Sequence, residues 1–155
     1  MKERRGSIGV ILFLLNFCIF LVITLGGMVV YLSLVKPNDV RTKILELILN
    51  LIVFWCVGNI CYSLKKIIKN IKVKNIFIVE NAKRFKIIGS YVIIFGIIYS
   101  MLFSANKGGI SIIKIGDTGF GPETFLYLIL GGLAFILAYI FEEAIKLKEE
   151  QDLTI

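Results

Sequence analysis

From Ile8 to Leu34 the chain runs 27 residues without one charged side chain. A helix needs roughly 20 apolar residues to cross the hydrocarbon core of a bilayer, so this run can span it with some tilt. Three more apolar blocks follow, at about 44–64, 87–104 and 123–141. In a chain of 155 residues these blocks leave no room for a separate soluble domain. Composition points the same way: 57% of the residues are apolar, 19% are charged, and mean hydropathy is +0.87. A water-soluble domain of this size cannot hide so much apolar surface. Low charge and 2 prolines exclude a disordered or collagen-like chain, and 3 cysteines do not make a disulfide-stapled scaffold. The expected fold is all-α, a single membrane domain built as an integral four-helix bundle.

Lys2, Arg4 and Arg5 precede the first block as the basic region of a signal peptide would. The apolar run is too long for a signal sequence and no A-x-A-like site follows, which predicts an uncleaved first span. Pro37 punctuates before the second block, where Asn38 or Asp39 can cap the new helix, and Glu46 is close enough to the start to reach the interface. Gly121, Pro122 and Glu123 open the fourth block, with proline suited to the first helical position and the acid to the positive end of the helix dipole. Residues 142–155 keep helical character, with Glu142–Lys146 and Lys146–Glu150 at i,i+4 spacing, which predicts a tail projecting from the membrane. Ser111 to Phe120 combines β-branched residues with a Gly/Asp turn signal and reads as a loop or short extended piece.

Lys and Arg number 3 before the first span, then 3, 8 and 2 in the successive connections, and 2 in the tail. Alternate segments therefore hold 13 against 5, and the positive-inside rule places both termini and the middle connection in the cytoplasm. That connection, Lys65 to Lys86, mixes eight cations with Ile, Val and Phe. Such a segment can lie on an anionic inner leaflet at about 1 kcal/mol per cation. Direct nucleic-acid binding is not expected, because the lipid surface already gives these charges a use.

The chain has no histidine, so neither an HExxH helix nor a Ser-His-Asp arrangement can be built. Cys18, Cys56 and Cys61 fall inside spans at spacings that match no zinc or redox motif and read as small fillers. No catalytic residue, metal ligand or cofactor site is expected. Asn16, Thr24, Asn50 and Asn59 are the uncharged polar residues at depth, and no acid or base lies near the midplane of a span. Coupled carriers usually keep an ionisable group there. Asn50, one turn from Glu46, and Asn59 are candidates for bonding to a neighbouring helix. Gly96, Ser100 and Ser104 repeat every four residues on the third span, as do Ala134 and Ala138 on the fourth. Such small-residue rows allow close packing of these two helices, or form a homodimer face.

Two stretches are more specific: Ile76 and Phe77 followed by Glu80 to Gly89, and the terminus Leu147 to Ile155. With four spans, they make the chain similar to the bacterial membrane family known as domain of unknown function 2975. In that family a Phe and then an N-x-x-R-like step introduce the third span, here Phe77, Asn81 and Arg84. The family chain closes on something close to L-x-E-E-N-D-L-T and an aliphatic residue, here with Gln151 in the Asn place. No proline precedes Phe77, and the first outer connection is very short.

The resemblance implies no assigned activity and frequent encoding beside a small helix-turn-helix regulator, hence a membrane partner that senses a signal and holds or releases a DNA-binding protein. Glu149, Glu150, Asp152 and Leu153 would then form an acidic, partly apolar contact for that regulator's basic surface. The competing structural use has Glu150 and Asp152 folding back on the cation-rich connection, Asn81 capping the third helix and Arg84 anchoring at lipid headgroups. The expected location is a bacterial inner membrane. The alternatives are a bacteriocin or peptide immunity protein, and a small oligomeric transporter.

Overall fold

A computed structural model describes residues 2–35, 40–72, 76–104, 113–115 and 118–153, with side chains over 8–32, at 35, 44 and 45, and over 47–72, 76–100 and 121–151. Four helices carry the chain: α1 (Lys2–Val35), α2 (Val40–Lys72), α3 (Val79–Ser104) and α4 (Pro122–Leu153). Between α3 and α4 stand β1 (Ile113–Ile115) and β2 (Thr118–Phe120), paired antiparallel with Ile113 opposite Phe120 and Ile115 opposite Thr118. The segment expected to be loop or short extended chain thus holds a small hairpin, and β2 lies against α3.

Three helices contain runs long and apolar enough to cross a membrane: Ile8–Leu32, Leu47–Lys72 and Pro122–Gln151. In α3 the described side chains end at Ser100, and the uncharged run they cover, from Ile87 to Ser100, is 14 residues. At 1.5 Å per residue the 34 residues of α1 extend about 51 Å, well beyond a core of about 30 Å, so its ends must project or the helix must tilt. The proposed caps at Asn38 and Asp39 lie outside the described residues, as does the side chain of Glu46.

The connection expected over 65–86 is largely helical: α2 continues to Lys72 and α3 starts at Val79. Lysine is a good helix former, and Ile67, Ile68 and Ile71 keep an apolar stripe running between the cations. Lys69 and Lys72 also meet the negative end of the α2 dipole in its last turn. At the other junction Pro122 opens α4 with the Thr124 N–H donating to the Gly121 carbonyl at 3.1 Å. The tail helix runs on to Leu153 without a break.

Packing follows chain order, α1 on α2, α2 on α3 and α3 on α4, the last pair most extensively. The core cluster is Ile67, Ile88 and Ala134, bordered by Ile60, Leu64, Ile71, Phe85 and Val92. Elsewhere the buried positions are small residues, among them Cys56, Cys61, Ser63, Ala82, Ser100 and Ala138. The large apolar side chains point outward instead, with Phe13 70%, Ile23 68% and Ile129 63% exposed. Small residues inside and large ones outside is the distribution of helices that pack through van der Waals contact within lipid.

Close approach of α3 and α4 depends on glycine. A Cβ added to Gly89 would stand 2.9 Å from the Gly131 carbonyl oxygen, and one added to Gly131 would stand 2.5 Å from Ile93 Cγ1. Neither position has room for a side chain.

Candidate functional site

The cation-rich end of the helices is organised around Asn81, which is fully buried. It sits in the first turn of α3, where its backbone N–H donates to the Ile78 carbonyl at 3.0 Å. Its side chain does not cap that helix. Asn81 Oδ1 accepts from Asn70 Nδ2 of α2 at 2.8 Å, and Asn81 Nδ2 donates to the Ile76 carbonyl at 2.7 Å. One amide therefore fixes the end of α2, the residues ahead of α3 and α3 itself. A buried amide left without such partners would cost about 1–3 kcal/mol, so the pair specifies the angle at which the two helices meet.

Phe77 and Phe85 extend the joint to α4. Their rings lie 5.7 and 5.1 Å from that of Phe141, in tilted contacts. Close by, Lys86 Nζ is 2.7 Å from Glu142 Oε1. On the far side Lys65 Nζ donates to Asn16 Oδ1 at 2.7 Å, tying α2 to α1. All four helices thus contribute to one polar belt, with Asn16, Lys65, Lys86 and Glu142 joined in pairs across it. Lys66 lies over the Tyr62 ring at 5.0 Å, and Lys69, Lys72 and Lys83 are exposed.

Between α2 and α3 the belt opens into a cavity of about 520 Å³. Its polar end holds Tyr62 and Ser63 from α2 facing Arg84 and Lys86 from α3. Ile87 and Ile94 line the part that continues along α3. Arg84 Nε is buried there without a hydrogen-bond partner among the described residues. An unsatisfied guanidinium donor is costly to keep. No group of three His, Cys, Asp or Glu among the described residues could hold a metal ion.

The intramembrane contacts expected from sequence divide into two sets. Gly96, Ser100, Ala134 and Ala138 are buried, and two of them mark the α3–α4 seam: Gly96 lies against Tyr127, while Ser100 and Thr124 share a 2.8 Å hydroxyl hydrogen bond. The side chain of Ser104 lies outside the described residues. Asn59 instead donates to the Trp55 carbonyl of its own helix at 2.8 Å and lines the cavity. Asn50 is half-buried.

In the tail Glu149 and Glu150 are exposed, while the side chains of Asp152 and Leu153 are outside the described residues. The i,i+4 pairing expected between Glu142 and Lys146 does not form, because Glu142 reaches across to Lys86. Lys146 pairs at 2.8 Å with Glu143 instead. Sequence reasoning missed Asn70, Thr124, Phe141 and the Gly89–Gly131 contact. For Gly89 and Gly131 the signal was present, since each stands seven residues from another small residue of its own helix, Gly96 and Ala138.

A chain of four helices, three of them with membrane-length apolar runs, a greasy exterior and seams of small residues is a membrane protein. The family model described as Protein of unknown function (DUF2975) matches residues 29–155, and the chain belongs to that family. The match begins within α1 and takes in α2, so the likeness extends beyond the second half that carries Phe77, Asn81 and Arg84. No curated protein and no solved structure matches the chain.

Proposed function

We propose that the chain is a non-enzymatic, multi-pass protein of a bacterial inner membrane that binds a small cytoplasmic helix-turn-helix regulator through the end of α4. The helices form a four-span bundle, with α3 crossing from Ile87 to Ser104 and both termini in the cytoplasm. The excess of Lys and Arg at the α2–α3 end supports that orientation.

The observation that carries the partner reading is the length of α4. It continues as helix twelve residues past Phe141, to Leu153, and presents Leu147, Glu149 and Glu150 to solvent. An exposed acidic helix with an apolar side chain complements the basic surface of a DNA-binding domain, and charge complementarity of this kind speeds and orients association.

The test is a pulldown from membranes of the full chain and of a chain lacking residues 149–155, combined with a topology reporter at residue 72. A helix-turn-helix protein recovered only with the full chain, and a cytoplasmic reporter, are the expected results. Equal recovery with and without the tail, or an external reporter, overturns the proposal.

A further inference from the structure

We infer that the cavity between α2 and α3 is a binding site for the phosphate group of an anionic phospholipid, with Arg84 as its principal ligand. Three independent features converge on this. Arg84 lines the cavity, and its Nε–H donor is buried without a partner among the described residues. A planar guanidinium offers paired donors whose spacing matches two oxygens of a phosphate.

The second feature is the sequence of linings along the cavity. Arg84 and Lys86 stand at one end, Ser90 and Tyr91 follow, and Ile94 lies at the other, ten residues or about 15 Å along α3 from Arg84. An inorganic phosphate would use only the cationic end. A phospholipid uses the whole length, with its headgroup at Arg84 and the upper part of an acyl chain against Ile87 and Ile94.

The third feature is position. The cavity adjoins the belt formed by Lys65, Lys86 and Glu142, where the apolar exterior gives way to cations, which is the depth at which lipid phosphates lie. Basic pockets between membrane helices on the cytoplasmic side hold anionic headgroups for this reason. Lys86 is engaged by Glu142, so the charge that selects the anion rests on Arg84.

Lipid retention by the full chain tests this, read by native mass spectrometry after release from detergent micelles containing equal phosphatidylglycerol and phosphatidylcholine. The unsubstituted chain is expected to keep one phosphatidylglycerol with a preference of about tenfold or more, the size of a charge-assisted hydrogen bond. Arg84→Gln should bring the preference near unity. Lys148→Gln, which removes the same charge from the exposed tail, should leave it unchanged, and so should a large excess of inorganic phosphate. Should Arg84→Gln fail to fold, Ile94→Trp, which fills the apolar part and keeps the arginine, is expected to abolish retention. Equal retention of both lipids, a preference untouched by the folded cavity variants, or displacement by inorganic phosphate would each overturn the assignment.

Discussion

Gly96 and Tyr127 approach so closely that a Cβ on the glycine would stand 2.4 Å from Tyr127 Cβ. No rotamer change relieves that clash, because a Cβ position is fixed by its backbone. Gly96→Ala must therefore push α3 and α4 apart, and overpacking of this kind costs about 1–3 kcal/mol. Gly132→Ala is the matched control, since nothing lies within 4 Å of its would-be Cβ. We expect Gly96→Ala to lower the unfolding midpoint in detergent clearly, and Gly132→Ala to leave it unchanged or raise it slightly through helix propensity. Equal behaviour of the two variants would show that the α3–α4 contact is looser than described.

The Asn70–Asn81 amide pair gives a second expectation. Asn81→Ala removes both the acceptor for Asn70 and the donor to the Ile76 carbonyl at a fully buried position, a loss of about 2 kcal/mol or more. Asn70→Ala should cost less, because its partner keeps the bond to Ile76. Hydrogen exchange over residues 76–85 is the direct readout: protection should fall strongly in the first variant and modestly in the second. Unchanged exchange with Asn81→Ala would remove the clamp from the account of the fold.

Two polar links between α3 and α4 should differ in their response to salt. The Ser100–Thr124 hydroxyl pair is buried, whereas Lys86 and Glu142 keep 50% and 36% side-chain exposure. A double-mutant cycle to alanine at Ser100 and Thr124 should give a coupling of about 0.6 kcal/mol that is insensitive to ionic strength. Coupling between Lys86 and Glu142 should lie between about 0.2 and 1 kcal/mol and fade as salt is raised. A salt-sensitive hydroxyl pair, or an ion pair unaffected by salt, would contradict these burial assignments.

Some of the candidate site was legible before any coordinates. Ser100, Ala134 and Ala138 were marked for packing by their four-residue spacing, and Phe77, Asn81 and Arg84 by their resemblance to a family motif. Their roles were not. Asn81 looks like a helix cap in one dimension because it precedes an apolar run. The start of α3 at Val79 puts it inside the first turn instead, where Asn70, eleven residues earlier, can meet it. Asn59 looks like interhelical glue because it is polar at depth, yet its own helix supplies a carbonyl four residues back at 2.8 Å. The cavity had no linear signal at all, as its walls come from two different helices, α2 and α3.

What the residue order determined by itself is the solvent: runs such as Ile8 to Leu34 cannot be hidden by so short a chain, so lipid must cover them. It also determined the helical state, since backbone groups in lipid have to be satisfied within the segment. Tertiary structure alone decided which small residues face which, that Glu142 turns to Lys86 and not to Lys146, and that Arg84 ends beside a cavity. Hydropathy along a chain is a one-body property, read residue by residue. Contacts between helices depend on rotation and register, which lipid, being equally apolar on all sides, does nothing to fix.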